Sequence, residues 1–285
     1  MKHLTEIIRF LSSHKMYVYY SLAYGLSTLI IPLGVQFLVN NLALSGIWLN
    51  ITAFIIFITL GLVVAQSIKH SQLIIAESLE REIFCKEIER WKDLKRKEYS
   101  HYYFEVLNLL KSFSKSYSNI IEIALVMFFG LSTIIVFHPA FLTLAVIIIL
   151  TVLHIYVSSR SAIDSSIKES NEKYHLFRKI NSIEGIRDSD IFSFLKARDN
   201  HFNFIRKNSF KIGSLVVAVQ AVLLSLGCYL IKINQLSVGQ LVSAEIIVSG
   251  IFIPLSKLPL ILEAIYDYEA SKFKISMALT GNSNE

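Results

Sequence analysis

Charge is what this sequence lacks over nearly half of its length. No Asp, Glu, Lys or Arg occurs from Met16 to Ile68, from Ile123 to Ser159 or from Ile212 to Ile231, and between Ile233 and Ser256 Glu245 stands alone. Charged residues make up 18% of the 285 positions and hydrophobic ones 53%, whereas soluble domains carry about 25% charged residues. That distribution excludes an ordinary soluble domain. Cysteine is nearly absent: Cys85 lies in a charged stretch and Cys228 in an apolar run, which excludes a disulfide framework and a cysteine metal site. Catalytic signatures are missing as well. There is no G-x-x-x-x-G-K-[ST] phosphate loop, no nucleophile elbow, no H-E-x-x-H, and no cluster of carboxylates in a plausible site, so neither an intramembrane enzyme nor a resident metal or cofactor is expected. A cleavable signal peptide is also excluded, because Glu6, Arg9 and His14 precede the first apolar run, which is too long for a signal and lacks a small-residue cleavage site.

What remains is an all-α membrane protein. Runs of about 18 or more uncharged apolar residues can cross hydrocarbon roughly 30 Å thick. Six spans are expected, at 16–44, 49–68, 120–137, 140–157, 212–231 and 238–262. Residues 1–15 carry Leu4, Ile7, Ile8 and Leu11 at helical spacing and read as an interfacial helix. Pro32 and Gly34 place a kink in the first span, His138-Pro139 makes a tight turn, and Pro254 and Pro259 bend the sixth. Residues 69–94 are strong helix formers without Gly or Pro. They predict one unbroken helix of about 45 residues, nearly 70 Å long, continuing span two beyond the bilayer. The charged segments 69–119 and 158–211 form two long hairpins, the second broken near 182–191. Residues 263–279 read as a helical extension and 280–285 as a disordered tail.

The formal net charge is +6. Ten Lys and Arg fall in 69–115, eleven in 160–211 and three in the first fifteen residues, while the opposite turns hold only Lys232. This asymmetry puts both termini and both hairpins in the cytoplasm. It explains the basic charge without nucleic acid, and the natural location is the inner membrane.

Two helical hairpins extending far from the bilayer, after spans two and four, resemble the membrane domain of ABC exporters of the hemolysin-secretion and multidrug-export type. Residues 236–279, LSVGQLVSAEIIVSGIFIPLSKLPLILEAIYDYEASKFKISMAL, are similar to the sixth helix of that family, and 173–192, KYHLFRKINSIEGIRDSDIF, to its second cytoplasmic loop. Residues 81–110 fit the first loop more loosely. The resemblance implies a six-helix exporter fold that pairs as a domain-swapped dimer, with itself or a similar chain, giving twelve spans around a pathway. It also implies a separate ABC ATPase that binds ATP and Mg, short coupling helices at the hairpin tips docking on that ATPase, and, in a hemolysin-type (type I) secretion system, a periplasmic adaptor. The chain then reads as a permease subunit served by another chain, or as a membrane domain cut from a longer protein. A non-transporting scaffold or regulator that kept the exporter fold is the alternative. An ion-coupled carrier is a weaker one, since it needs charges near the midplane and Glu245 is the lone candidate.

The candidate residues follow. Tyr99, His101, Tyr102, Tyr103 and Phe104 are exposed aromatics for the first coupling tip, unless they pack between neighbouring helices. Ser182, Glu184, Gly185, Ile186, Arg187 and Asp188 form the second tip, or an ordinary turn. Glu245 is a costly intramembrane carboxylate facing either a cationic or peptide substrate or a solvated mouth. Lys257 either meets the pathway or snorkels. Gln36, Asn40, Asn41 and Gln220 line the pathway or hydrogen-bond between helices. Glu122 reads as interfacial and His154 as a packing residue. Membrane lipid is the remaining partner.

Sidedness is open to direct measurement. In a background with Cys85 and Cys228 replaced by serine, a cysteine at Gln235 should react with an impermeant maleimide added outside intact cells. One at Ile186 should react only after permeabilisation. The reverse pattern would overturn the orientation.

Overall fold

Lipid offers the backbone no hydrogen-bond partner, so a spanning segment must satisfy its own N–H and C=O groups. Helix is the available solution for these runs. The computed structural model describes residues 15–42, 48–92, 102–158, 160–180 and 185–280. Its helices are α1 (Lys15–Ser27), α2 (Ile30–Leu42), α3 (Trp48–Lys92), α4 (Tyr102–Phe137), α5 (Leu142–Ser158), α6 (Arg160–Ile180), α7 (Asp188–Lys232), α8 (Val238–Leu255) and α9 (Leu258–Thr280), with a 3-10 turn at Pro139–Phe141. No β-strand occurs among the described residues. Among the described residues six segments are long and apolar enough to cross a membrane: Lys15–Asn41, Thr52–Glu82, Ser118–Phe137, Pro139–Ser158, Asp188–Lys232 and Val238–Ser271. The N-terminal segment 1–14, the Ser45-Gly46 turn and the tail beyond Thr280 lie outside the described residues.

The breaks between helices have local causes. Pro32 has no N–H for the carbonyl of Thr28, and its ring crowds that carbonyl. The first span accordingly breaks at Thr28-Leu29, one turn before the proline, and Thr28 Oγ1 donates back to Gly25 O at 2.7 Å. Pro259 acts in the same way on Leu255. There α8 ends, Ser256 N–H donates to Phe252 O at 2.8 Å, and α9 begins at Leu258 with the proline in its first turn. Where no proline intervenes the helix continues. α3 has 45 residues and α7 also 45, each joining an apolar stretch to a charged one, and such a helix is about 68 Å long.

The chain forms two compact units. One comprises Met1–Glu77, Tyr117–Thr151 and Ile212–Lys257, the other Ser78–Ser116, Val152–Lys211 and Leu258–Glu285. In the first unit Phe141, Ile148, Leu223, Val248, Ile251 and Leu255 are buried. Its outward faces are apolar too: Val136 is 82% exposed, Val217 71% and Phe57 67%, as lipid-facing side chains should be.

Close crossings in this unit use small residues. At the α2–α8 crossing, Gly239 N–H donates to Asn40 Oδ1 at 3.2 Å, and a Cβ on Gly239 would lie 2.7 Å from the Gln36 carbonyl oxygen and closer still to the Asn40 side chain. Polar pairs tie helices at one end of the apolar region. Lys69 pairs with Glu122 and stands 4.7 Å over the Tyr24 ring, while Gln72 donates to the buried Ser21 hydroxyl at 2.8 Å.

The second unit buries Ile155, Ala162, Leu258, Ile261 and Leu262 and carries polar contacts between α6, α7 and α9. These are described below with the site.

Gly239→Ala should lower the melting temperature of the purified protein by the equivalent of about 1–3 kcal/mol, because the added methyl meets backbone that cannot yield. Gly250→Ala, on the same helix with nothing within 4 Å of the new methyl, should be neutral or stabilising by up to about 1 kcal/mol.

Candidate functional site

Two of the expected pathway residues meet in the first unit. α7 and α8 form a hairpin whose turn is tightly specified. Asn234 adopts the left-handed conformation at φ 56°, Gln235 N–H donates to Leu230 O at 2.9 Å and Asn234 N–H to Ile231 O at 3.0 Å, closing the end of α7 with a Schellman motif. Ser237 then caps α8 in a capping box: Gln240 N–H donates to Ser237 Oγ at 3.1 Å and Ser237 N–H to Gln240 Oε1 at 2.8 Å. The peptide Leu236-Ser237-Val238-Gly239-Gln240 echoes an ABC signature sequence in letters alone. Here its serine and glutamine cap a helix and its glycine admits a neighbouring backbone.

This register sets Gln220 of α7 against Ser249 of α8. Gln220 Nε2 donates to Ser249 Oγ at 3.1 Å, and Ser249 Oγ donates to Glu245 Oε1 at 3.4 Å. Gln220 lies twelve residues before Lys232 and Ser249 eleven after Val238, about 16–18 Å from the hairpin end and near the middle of a hydrocarbon layer about 30 Å thick. Glu245 lies nearer the hairpin end, about 10 Å from it. Glu245 Oε2 and Gln220 Oε1 are buried and have no partner among the described residues. Ser249 was not legible as a site residue, since an isolated serine in an apolar run carries no signal until its neighbour is known.

The other expected pathway residues lie elsewhere. Asn40 and Gln36 serve the α2–α8 crossing, where one accepts from Gly239 and the other presents its carbonyl to it. Asn41 Nδ2 donates to Phe37 O within its own helix at 2.8 Å. Lys257 is exposed on the turn between α8 and α9, twelve residues from Glu245.

Of the first coupling tip, Tyr99 and His101 lie outside the described residues, and Tyr102, Tyr103 and Phe104 open α4. Of the second, Ser182 and Glu184 lie outside them. Gly185, with φ 69°, leads into the exposed Ile186, Arg187 and Asp188, and α7 starts at Asp188. Asp190 fixes this start: its carboxylate accepts from Arg187 N–H at 3.2 Å and from the Lys179 ammonium at 2.6 Å. From Asp188 onward the chain is one continuous helix rather than a short separate one.

The second unit contains a buried polar knot for which the sequence offered no motif. Glu169 of α6 accepts from Arg198 at 2.7 Å on one oxygen and from His201 Nδ1–H at 2.5 Å on the other. Both donors are on α7, three residues apart and so on one face. Glu263 of α9 lies 3.9 Å from the Arg198 guanidinium, and the Tyr266 ring meets the His201 ring edge-on at 6.1 Å. His201 is 1% exposed and its Nε2 has no partner among the described residues. Burial pushes the Glu169 carboxyl up, but the hydrogen bonds from His201 and Arg198 outweigh it and hold the group below the usual carboxylate value. Elsewhere in the unit the Lys211 ammonium lies 3.5 Å from His154 Nε2 and 3.4 Å from Ser158 Oγ. No group of three or more metal-ligating His, Cys, Asp or Glu side chains occurs among the described residues, and Cys85 and Cys228 are free thiols.

The chain matches no protein-family model and no curated protein.

A depressed folded-state pKa stabilises above the unfolded value and ceases to do so as pH falls through the folded one. The Glu169 contribution should therefore be fully present above about pH 5 and fade at lower pH. Thermal melts should show wild type losing stability on acidification through this window. Glu169→Gln should lose less across it and be less stable at pH 7. Glu169→Ala should cost about 1–3 kcal/mol at pH 7, because it leaves the buried His201 without its acceptor, while Arg198 is half-exposed and can turn to water.

Proposed function

We propose that this chain is the membrane-spanning permease subunit of an ABC exporter, forming the substrate pathway and driven by ATP hydrolysis on a separate ATPase chain. One observation carries the reading. In α3 and α7 a single 45-residue helix holds both an apolar stretch and a charged extension. A push applied to the charged end of a continuous helix reaches the membrane, whereas a flexible loop would absorb it. The extensions bear the clustered Lys and Arg, which favours a cytoplasmic location for them in an inner-membrane protein with both termini inside.

The exposed turn Gly185–Asp188 supports docking on the ATPase. Ile186 is 41% exposed beside Arg187, on a start of α7 held rigidly by Asp190. Pairing with a second copy is supported by α3, whose apolar window has no residue buried within one chain. Phe57, Leu60, Val63 and Val64 on it are all uncovered. ATP and Mg belong to the ATPase in this scheme, and a periplasmic adaptor fits it as a further partner. The pathway residues favoured by the geometry are Glu245, Ser249 and Gln220.

Purification of the tagged chain from native membranes in mild detergent should bring down an ABC ATPase in equal amount. Ile186→Asp and Arg187→Glu should lower that recovery at least tenfold while leaving the melting temperature unchanged. A chain that purifies without any ATPase would overturn the proposal in favour of a scaffold.

A further inference from the structure

The geometry points to a binding site for a primary ammonium group at Glu245, Ser249 and Gln220. This deepens the exporter reading by naming a substrate class, and it rests on that reading for transport but not for binding.

The hydrogen bonds in the cluster run one way, from Gln220 amide to Ser249 hydroxyl to Glu245 carboxylate. That direction fixes the amide. Turned over, Gln220 would present an oxygen to Ser249, whose single O–H could then serve only one of its two neighbours. With the relay in place the Ser249 hydroxyl and one amide N–H of Gln220 are used, and two acceptors are left over. Glu245 Oε2 and Gln220 Oε1 are both buried without a partner among the described residues, and Ser249 Oγ retains a second lone pair. Three oxygens and one acidic side chain are the complement of an ammonium head, which has three N–H donors and a positive charge.

Among the described residues no ammonium group is bonded to the three side chains. The nearest Lys residues along the chain are Lys211, nine positions before Gln220, and Lys257, eight after Ser249, about 12–14 Å of helix away, and Lys211 lies instead against His154 and Ser158. An unpaired carboxylate and an unpaired amide oxygen at this depth are costly, and a ligand that fills both removes the cost. Beside the cluster the surface is open and apolar. Gly250 has nothing within 4 Å of where a side chain would begin, and Ile253, one turn on, is 65% exposed. An ammonium carrying an alkyl tail suits that arrangement.

The test uses the full chain in lipid nanodiscs, without any ATPase, titrated calorimetrically against empty nanodiscs of the same lipid. Three probes share one tail: dodecylammonium, dodecyltrimethylammonium, which keeps the charge but has no N–H, and dodecanol, which is uncharged. Dodecylammonium should bind saturably at one site, and the other two at least tenfold more weakly. Glu245→Gln should weaken dodecylammonium on the order of 30-fold, and Gln220→Leu in the same direction. Ser243→Ala, which removes a buried hydroxyl elsewhere on α8, should leave binding unchanged. Equal binding of the three probes to wild type, or dodecylammonium heats no larger than in empty nanodiscs, would overturn the site. So would wild-type affinity in Glu245→Gln. The wild-type probe series decides the matter even where a variant fails to fold. Ammonium binding by a chain that recruits no ATPase would keep the site and remove the exporter. ATPase recruitment without ammonium selectivity would do the opposite.

Discussion

Hydrocarbon cannot hydrogen-bond to a peptide group, and the rest of this structure follows from that constraint. Every stretch that enters lipid must close its own N–H and C=O bonds, and a helix does so within one segment. The cost of an open backbone group also confines the breaks. They occur where a proline has already removed a donor, at Thr28-Leu29 before Pro32 and at Ser256-Lys257 before Pro259, and hydroxyls or turn bonds cover the exposed carbonyls there. Between prolines nothing stops the helix at the membrane boundary, so α3 and α7 continue into charged sequence.

The same constraint makes polar side chains in the apolar region conspicuous. Most of them are neutralised locally. Lys69 meets Glu122, Gln72 meets Ser21, and Asn40 takes the Gly239 amide. Threonines 59, 133 and 151 bond back to their own helices. Gln72 Oε1 is left without a described partner, as are Glu245 Oε2 and Gln220 Oε1, but the latter two belong to one relay that includes an acidic side chain. In the second unit the balance reverses: Glu169 has a donor on each oxygen, and these bonds tie α6 to α7.

The fold class was legible in the sequence because lipid exposure leaves a long signal. Uncharged runs of 18 or more residues, Lys and Arg on alternate loops, and helix formers from 69 to 94 all act over many positions, and no single contact can overrule them. The capping of α8 by Ser237 and Gln240 was legible in principle as a four-residue pattern. The site was readable only in part. Glu245 stood out as the lone charge between Ile233 and Ser256, and Gln220 as one of few amides in an apolar run. Ser249, which connects them, was silent, as were Glu169, Arg198 and His201. Their significance lies in partners 29 to 32 residues away, and no periodicity carries information over such a distance between separate helices.

By itself the sequence determined that the apolar runs form helices long and apolar enough to cross a membrane and that Pro32 and Pro259 interrupt them, since both are decided by composition and by bonds within a few residues. Only the tertiary structure decided which polar groups meet. The register of α7 against α8 is set by one left-handed asparagine and one capping serine, and that register puts Gln220 opposite Ser249. A shift of one residue would rotate each side chain by about 100° and leave the carboxylate of Glu245 facing a different neighbour.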